Sequence, residues 1–447
     1  MPTVIEAILD DVVETKTASN GPPFAATFDY ATEIVKRDAA AAKWKTMDEA
    51  ARSPHKDKLE NFFVHEGVAD LKSHEGLQAK SLHLLRSEIS QQVSTSNPLK
   101  LLVVEELHFS SALVELLENV ENTEHIRDLY RLRKRTSGKD KKSGIGSEEA
   151  TRLKNCMRQG RELYTSGLAG SLMVKPLNFF YALTAYSYVV VILNNPIRYS
   201  LENLPGSHGI NYLPNDIKTQ FGGDMPQGTF SDLFAAFPTT QVFGRQVDFF
   251  QDNEASILAF FNNRYTASCG TLLSMIPEIR EYYTLVTGRP SRTYPLEIST
   301  TKDPRNVKWE LQVGDGEARP AADDVAQSFP GADVSERHGK FVVTFPIADA
   351  HKCRATIYTD IRGRFWYIEN PFFPVVMPET CLHFLLTNIF SNIMRYSPDH
   401  WGDVLLNEVR SDISLITRKY LSAFENKFPV LLLRSISKFF PYVSAEG

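Results

Sequence analysis

The apolar period of this chain changes twice, and no other feature constrains its fold as much. Helical spacing governs the first part. From Arg289 to Phe373 apolar residues alternate with a period of two, and from Pro378 onward helical spacing returns. The class expected is α+β, a predominantly helical core with a small antiparallel β module inserted into it. Within the module, Pro295–Thr300, Val307–Val313, Phe341–Phe345, Arg354–Asp360 and Trp366–Ile368 read as strands. Gly314-Asp315-Gly316 reads as a turn and Arg362-Gly363 as a hairpin break. The polar piece from Asp315 to Arg337 is expected to be a long exposed connection.

The helical parts carry their own signals. A stretch over 101–128 has an acidic face, and its first residues, Leu101–Val104, also fit a buried strand. Ser147 is the expected N-cap of the next helix, with Glu148 and Glu149 in its first turn. A second helix starts at Lys175-Pro176 and ends near Asn194-Asn195-Pro196. The two should pack as a central antiparallel pair. The apolar run from Leu172 to Leu193 is nearly long enough to span a bilayer, but Lys175, Pro176, Asn178, Thr184 and Ser187 interrupt it. It is expected to be a buried core helix, with no membrane role. Past Pro378, Leu382, Leu385, Leu386, Ile389 and Ile393 form a core stripe. Thr380, His383, Thr387, Asn388, Ser391, Asn392 and Arg395 line the other side, as a solvated face or a polar cavity.

At 447 residues the chain is longer than one ordinary domain. The expected divisions are a helical extension over 1–147, a first core part over 148–288, the β module over 289–373, and closing helices over 374–447. Residues 194–228 are rich in Gly and Pro, and such a long aperiodic loop is expected to line the main pocket of the core, with His208 facing it. A balance of 43% hydrophobic and 23% charged residues excludes a mainly disordered chain, a collagen or a coiled-coil rod. The net charge of −5 gives no general pull toward nucleic acid. RNA or DNA binding would need the local run of Arg131, Arg133, Lys134, Arg135 and the lysines up to Lys142. That run reads first as an exposed, mobile solvated loop and more sharply as an arm touching phosphates.

Four single cysteines imply reduced thiols and a cytoplasmic location. The acidic N-terminus lacks the basic region of a signal peptide. No metal site is expected, since the His-Glu-Gly triplets at His65 and His74 are not spaced for one helix face. No cofactor is expected either. Nucleophile-elbow, zinc-protease, dinucleotide and calcium-loop patterns are absent, and Gly144-Ile145-Gly146-Ser147 lacks P-loop spacing.

Four landmarks follow one another: Gln159-Gly160-Arg161-Glu162-Leu163-Tyr164, Val174-Lys175-Pro176-Leu177-Asn178-Phe179-Phe180-Tyr181, His208-Gly209, and Met394-Arg395-Tyr396-Ser397-Pro398-Asp399-His400-Trp401. Their order resembles the YaaC-like family of bacterial proteins, from roughly Met157 to the C-terminus. Residues 62–147 look like an extra segment beyond the family core. The resemblance implies a bacterial, intracellular, mostly helical protein with no catalytic residues of known role. Because some members occur near defence genes, it also implies a conceivable antiviral setting.

Arg395 and His400 additionally fit the Arg-x4-His motif of HEPN-type ribonucleases. There the Arg steadies a phosphate and the His does acid–base work on a ribose hydroxyl. In the competing reading Arg395 caps a helix, Pro398 ends it, and Trp401 anchors the chain. The leading functional expectation is a ligand- or partner-binding protein, partnered by another protein or its own copies. Arg161, Lys175, His208, His383 and Asn392 are its candidate ligand-binding residues, and Arg395 with His400 the candidate catalytic pair of the ribonuclease alternative. The third expectation is a nucleic-acid-binding subunit using the basic run.

Overall fold

The computed structural model describes residues 4–17, 100–104, 109–132, 144–195, 198, 200–223, 228–237, 239–243, 248–252, 261–302, 307–316, 318–346, 349, 352–406, 411–437 and 439–443. The helices are α1 (Phe109–Asn119), α2 (Thr123–Leu132), α3 (Ser147–Ala169), α4 (Lys175–Asn194), α5 (Thr229–Ala235) and α6 (Cys269–Ser274). They continue with α7 (Arg280–Thr287), α8 (Ala322–Ser328), α9 (Glu379–Tyr396), α10 (Pro398–Leu406) and α11 (Ser411–Ile436). With two antiparallel sheets beside them, the chain is α+β.

Helix α3 packs along α4, and α4 against α9 and α11. Two glycines allow the first contact. A Cβ on Gly160 would come within 2.5 Å of the Tyr186 ring, and one on Gly167 within 2.5 Å of the Phe179 ring. The N-cap of α3 is Gly146 rather than Ser147, which opens the helix with the two acids behind it. Helix α4 is long and apolar enough to cross a membrane, and most of it is buried inside the protein. The polar side of α9 is buried as far as Asn392, through Thr380, His383, Thr387, Asn388 and Ser391, and only Arg395 at its end is half-buried.

The inserted module is a six-stranded antiparallel sheet. It comprises β8 (Thr293–Lys302), β9 (Val307–Val313), β10 (Asp333–Arg337), β11 (Lys340–Pro346), β12 (Thr356–Thr359) and β13 (Phe365–Ile368), in the order β10-β11-β9-β8-β13-β12. Its apolar cluster is its own, built from residues such as Leu296, Leu311, Val313, Val343 and Tyr367. The expected long connection is corrected here, since it folds into α8 and β10. Asp323 and Asp324 sit in the first turn of α8, where a helix dipole favours acids, and Val325 is its buried anchor.

The second sheet was not expected. Strands β1 (Val13–Thr17), β3 (Ile210–Leu213), β4 (Lys218–Gly222) and β7 (Asn263–Ser268) form an antiparallel sheet in the order β1-β7-β4-β3. The Gly/Pro-rich stretch is therefore a hairpin in its middle, pairing Ile210 with Phe221. Lys100–Val104 (β2) is the strand its sequence allowed, and it pairs in parallel with Phe439–Val443 (β14), while Thr239–Phe243 (β5) and Asp248–Asp252 (β6) form an antiparallel pair. One apolar cluster runs from Ile5 and Leu113 through Val190 to Val443. The buried apolar residues described before Ser147, such as Ile8, Leu117 and Ile126, thus belong to the same core as those after it.

Candidate functional site

Three separate elements bring charged and polar groups together beside the end of α9. The first is the loop before β3. Gly209 adopts φ +70°, and Gly228 crosses it so closely that a Cβ there would lie 2.0 Å from the Gly209 nitrogen. Thr229 N–H donates to Ser207 O at 2.9 Å and Phe230 N–H to His208 O at 3.0 Å. The backbone of His208 is thus fixed to the start of α5. Its ring stands edge-on to Phe180 of α4 at 4.9 Å and to Phe384 of α9 at 6.3 Å.

The second and third elements are α4 and α9. Asn392 donates to Asn388 O at 2.8 Å and to its Oδ1 at 3.0 Å, which leaves its own Oδ1 aimed at Arg395. One Arg395 amino group donates to that oxygen at 3.2 Å, the other to the Tyr181 hydroxyl at 3.4 Å. The guanidinium lies 4.8 Å from the Tyr396 ring centre. No carboxylate pairs with Arg395 among the described residues, and its buried Nε–H has no acceptor. His208 Nδ1 is likewise buried without a partner. Burial first, then the Arg395 charge, hold His208 below its usual pKa, so the imidazole is neutral near pH 7. Tyr181 (37% exposed) and Tyr396 (69%) leave the cluster open to solvent. A half-buried cation with free donors beside a neutral imidazole suits an oxyanion, which would accept from the guanidinium and offset its charge.

The remaining candidates lie elsewhere. Arg161 makes a two-pronged contact with Glu121, at 2.6 and 3.1 Å, tying α3 to the α1–α2 turn. Lys175 Nζ donates to Glu425 at 2.5 Å, joining α4 to α11. His383 is in the core, its Nδ1 3.2 Å from the Tyr420 hydroxyl, and burial then the Lys427 charge hold its pKa down to about 3. His400 is on α10, half-exposed, with no hydrogen-bond or ion-pair partner among the described residues. Helix α9 ends at Tyr396, Ser397 leaves helical geometry, and Pro398 opens α10, so Arg395 and His400 sit on different helices. Trp401 is fully buried against Phe390. Arg131 is exposed and pairs with Asp128 at 3.0 Å, while Arg133, Lys134 and Arg135 lie outside the described residues, as do His65 and His74. Among the described residues no group of three His, Cys, Asp or Glu could hold a metal ion.

Tyr181 is the member that sequence reasoning missed. It sits in an apolar helix and gives no polar signal of its own; only its place in Asn178-Phe179-Phe180-Tyr181 hinted at it.

A second charged cluster, also unforeseen, is closed. Lys427 is buried on α11 between Glu278 and Glu379, each at 2.9 Å, and donates to Thr359 O. Burial opposes its charge, but the two carboxylates outweigh that and raise its pKa. Glu379 is pushed up to about 7 by burial, which Lys427 offsets in part.

The model of one protein family, YaaC-like protein, matches residues 116–436, well over half of the chain. The chain belongs to the YaaC-like family. The match contains every residue of the His208–Arg395 cluster. It also begins inside α1, which corrects the expectation that residues 62–147 stand outside the family: those from 116 to 147 are part of it. Neither a curated protein nor a solved structure matches the chain.

Proposed function

We propose that this YaaC-like chain works in the cell as a ligand- or partner-binding component, and that it holds an oxyanion, such as a phosphate group, at Arg395, Asn392, Tyr181 and His208. The observation that carries the reading is the Arg395 guanidinium, positioned by Asn392 and Tyr181 with no carboxylate among the described residues. A cation withdrawn from water without a counter-ion is costly, and a bound anion removes that cost. An antiviral setting is compatible with this role.

The test is thermal unfolding in inorganic phosphate at low ionic strength. A ligand that binds the folded state raises the midpoint with concentration. The wild type should show that rise, and Arg395→Gln, which keeps a hydrogen-bonding side chain but no charge, should lose it. Equal shifts in both proteins would remove the proposal.

The ribonuclease reading draws on the same atoms, since a guanidinium beside a neutral imidazole could bind a phosphate and take a proton. In this arrangement His208, not His400, accompanies Arg395. RNA cleavage by the purified protein that survives His400→Ala but not His208→Ala would support it. No cleavage by the wild type would leave the binding reading alone.

A further inference from the structure

A cleft of about 610 Å³ lies between the β module and the helical elements, away from the Arg395 cluster. One wall is α11, which presents Lys419, Ser422 and Asn426; another is the start of α7; the third is the β12–β13 hairpin. The hairpin is stiff. Asp360 accepts the Arg362 and Arg364 backbone N–H groups at 2.9 Å each, Arg364 Nε at 2.8 Å and Trp366 Nε1 at 3.2 Å. Sites for small molecules favour such junctions between packed units, and this volume is ordinary for them.

The charge pattern narrows the ligand. Each carboxylate on the walls already faces a cation of its own: Glu278 has Lys427, Glu281 has Arg280, and Asp360 has Arg364. Lys419 faces no carboxylate among the described residues; its ammonium rests 4.7 Å from the Tyr282 ring centre. A cation–π contact at a half-exposed site is weaker than a charge-assisted hydrogen bond to a phosphate. Lys419 and the Tyr282 face are therefore stand-in partners for each other: a phosphate that draws the ammonium away frees an aromatic face for a ring to stack on. Arg362, at the exposed hairpin tip across the cleft, adds positive potential.

We propose that this cleft is a second binding site, separate from the Arg395 cluster, for a nucleotide-class ligand whose phosphates meet Lys419 and whose ring meets Tyr282. Such a ligand would bridge α11 and α7.

The test is titration calorimetry at low salt with ATP, pyrophosphate and adenosine as probes. ATP should bind more tightly than either fragment. Lys419→Glu should weaken ATP by about tenfold or more. Tyr282→Leu, which keeps the apolar bulk without the ring, should weaken ATP but not pyrophosphate. Repeated in the Arg395→Gln background, which removes the oxyanion cluster, the titrations should keep the same order of affinities and the same losses in Lys419→Glu and Tyr282→Leu, so that failure here is distinguishable from failure at the other cluster. ATP binding that is absent, or is lost in Arg395→Gln and kept in Lys419→Glu, overturns the assignment. Pyrophosphate binding as tight as ATP and insensitive to Tyr282→Leu would reduce the site to a bare anion patch and overturn the ligand class.

Discussion

Lys427 and Arg395 are both cations held back from solvent, and the protein surrounds them in opposite ways. Lys427 has two carboxylates at 2.9 Å and a backbone carbonyl, and its cluster is closed. Arg395 has a neutral amide, a phenol and a neutral imidazole nearby, two polar atoms of the cluster remain unpartnered, and one side is open to water. A buried cation whose charge two carboxylates compensate positions structural elements, here α11, α9 and the β module, even though Glu278 Oε2 stays without a hydrogen bond. A solvent-accessible cation with no carboxylate partner among the described residues suits a ligand. The contrast can be broken or sharpened by substitution.

The largest effect belongs to the closed cluster. Lys427→Met should destabilise the fold by about 3–5 kcal/mol, because it strands Glu278 and Glu379 without their cation. Urea unfolding measures this, and a loss under about 1 kcal/mol would show that water or rearrangement satisfies the carboxylates. Arg395→Gln, by contrast, should cost no stability in the absence of anion and should raise it slightly, because it removes an uncompensated charge.

Next is the contact that holds the helical pair together. Gly→Ala inside a helix normally gains about 1 kcal/mol in propensity. At Gly160 the new Cβ would meet the Tyr186 ring at 2.5 Å, so Gly160→Ala should cost about 1–3 kcal/mol net. A stabilised variant would mean that α3 and α4 can separate freely.

The two clusters' surroundings also differ in pH response. Glu379 titrates near 7 when folded, against 4.5 ordinarily, so its stabilising contribution is complete below 4.5 and is lost as pH rises toward 7. His383 is held near 3 against 6.5, so its contribution is present above 6.5 and is lost as pH falls toward 3. Between these limits the two oppose each other. Stability of Glu379→Gln should therefore rise more steeply with pH from about 5 to 6.5 than that of the wild type, and His383→Phe should rise less steeply. Urea midpoints across this range decide it; parallel curves for all three proteins would contradict the assignment. The smallest effect is expected on the surface, where Arg131→Ala should change stability by no more than about 0.5 kcal/mol, as the exposed pair with Asp128 implies.

How much of this was legible in the sequence depends on the range of the interactions. The strands of the β module were readable because alternation is local: Val307–Val313 is β9 as expected, and the Arg362-Gly363 break is the β12–β13 turn. The second sheet was not readable. Its central pairings join Val13 to Ala267 and Lys218 to Ser268, and β3 and β4 are short strands embedded among turn residues. Helix α8 was hidden because a single apolar anchor, Val325, leaves no periodicity to detect. At the cluster, His208, Asn392 and Arg395 stood out as polar residues in telling places, but their convergence depends on the Gly209–Gly228 crossing. Arg161, Lys175 and His383 looked equally suggestive, yet each is tied to a partner on a distant element that no local pattern announces: Glu121, Glu425 and Tyr420. Lys419 and Tyr282 carry no motif at all.

We propose that the Arg395 guanidinium, with no carboxylate partner among the described residues and a buried Nε–H without an acceptor, marks the place where an oxyanion binds. The most direct test follows the arginine Nε–H resonances by NMR while inorganic phosphate is added at low ionic strength. One Nε–H signal should shift saturably in the wild type and in His400→Ala, and that signal should be absent from Arg395→Gln. A spectrum in which no Nε–H signal responds, or in which the responding signal persists in Arg395→Gln, would contradict the account.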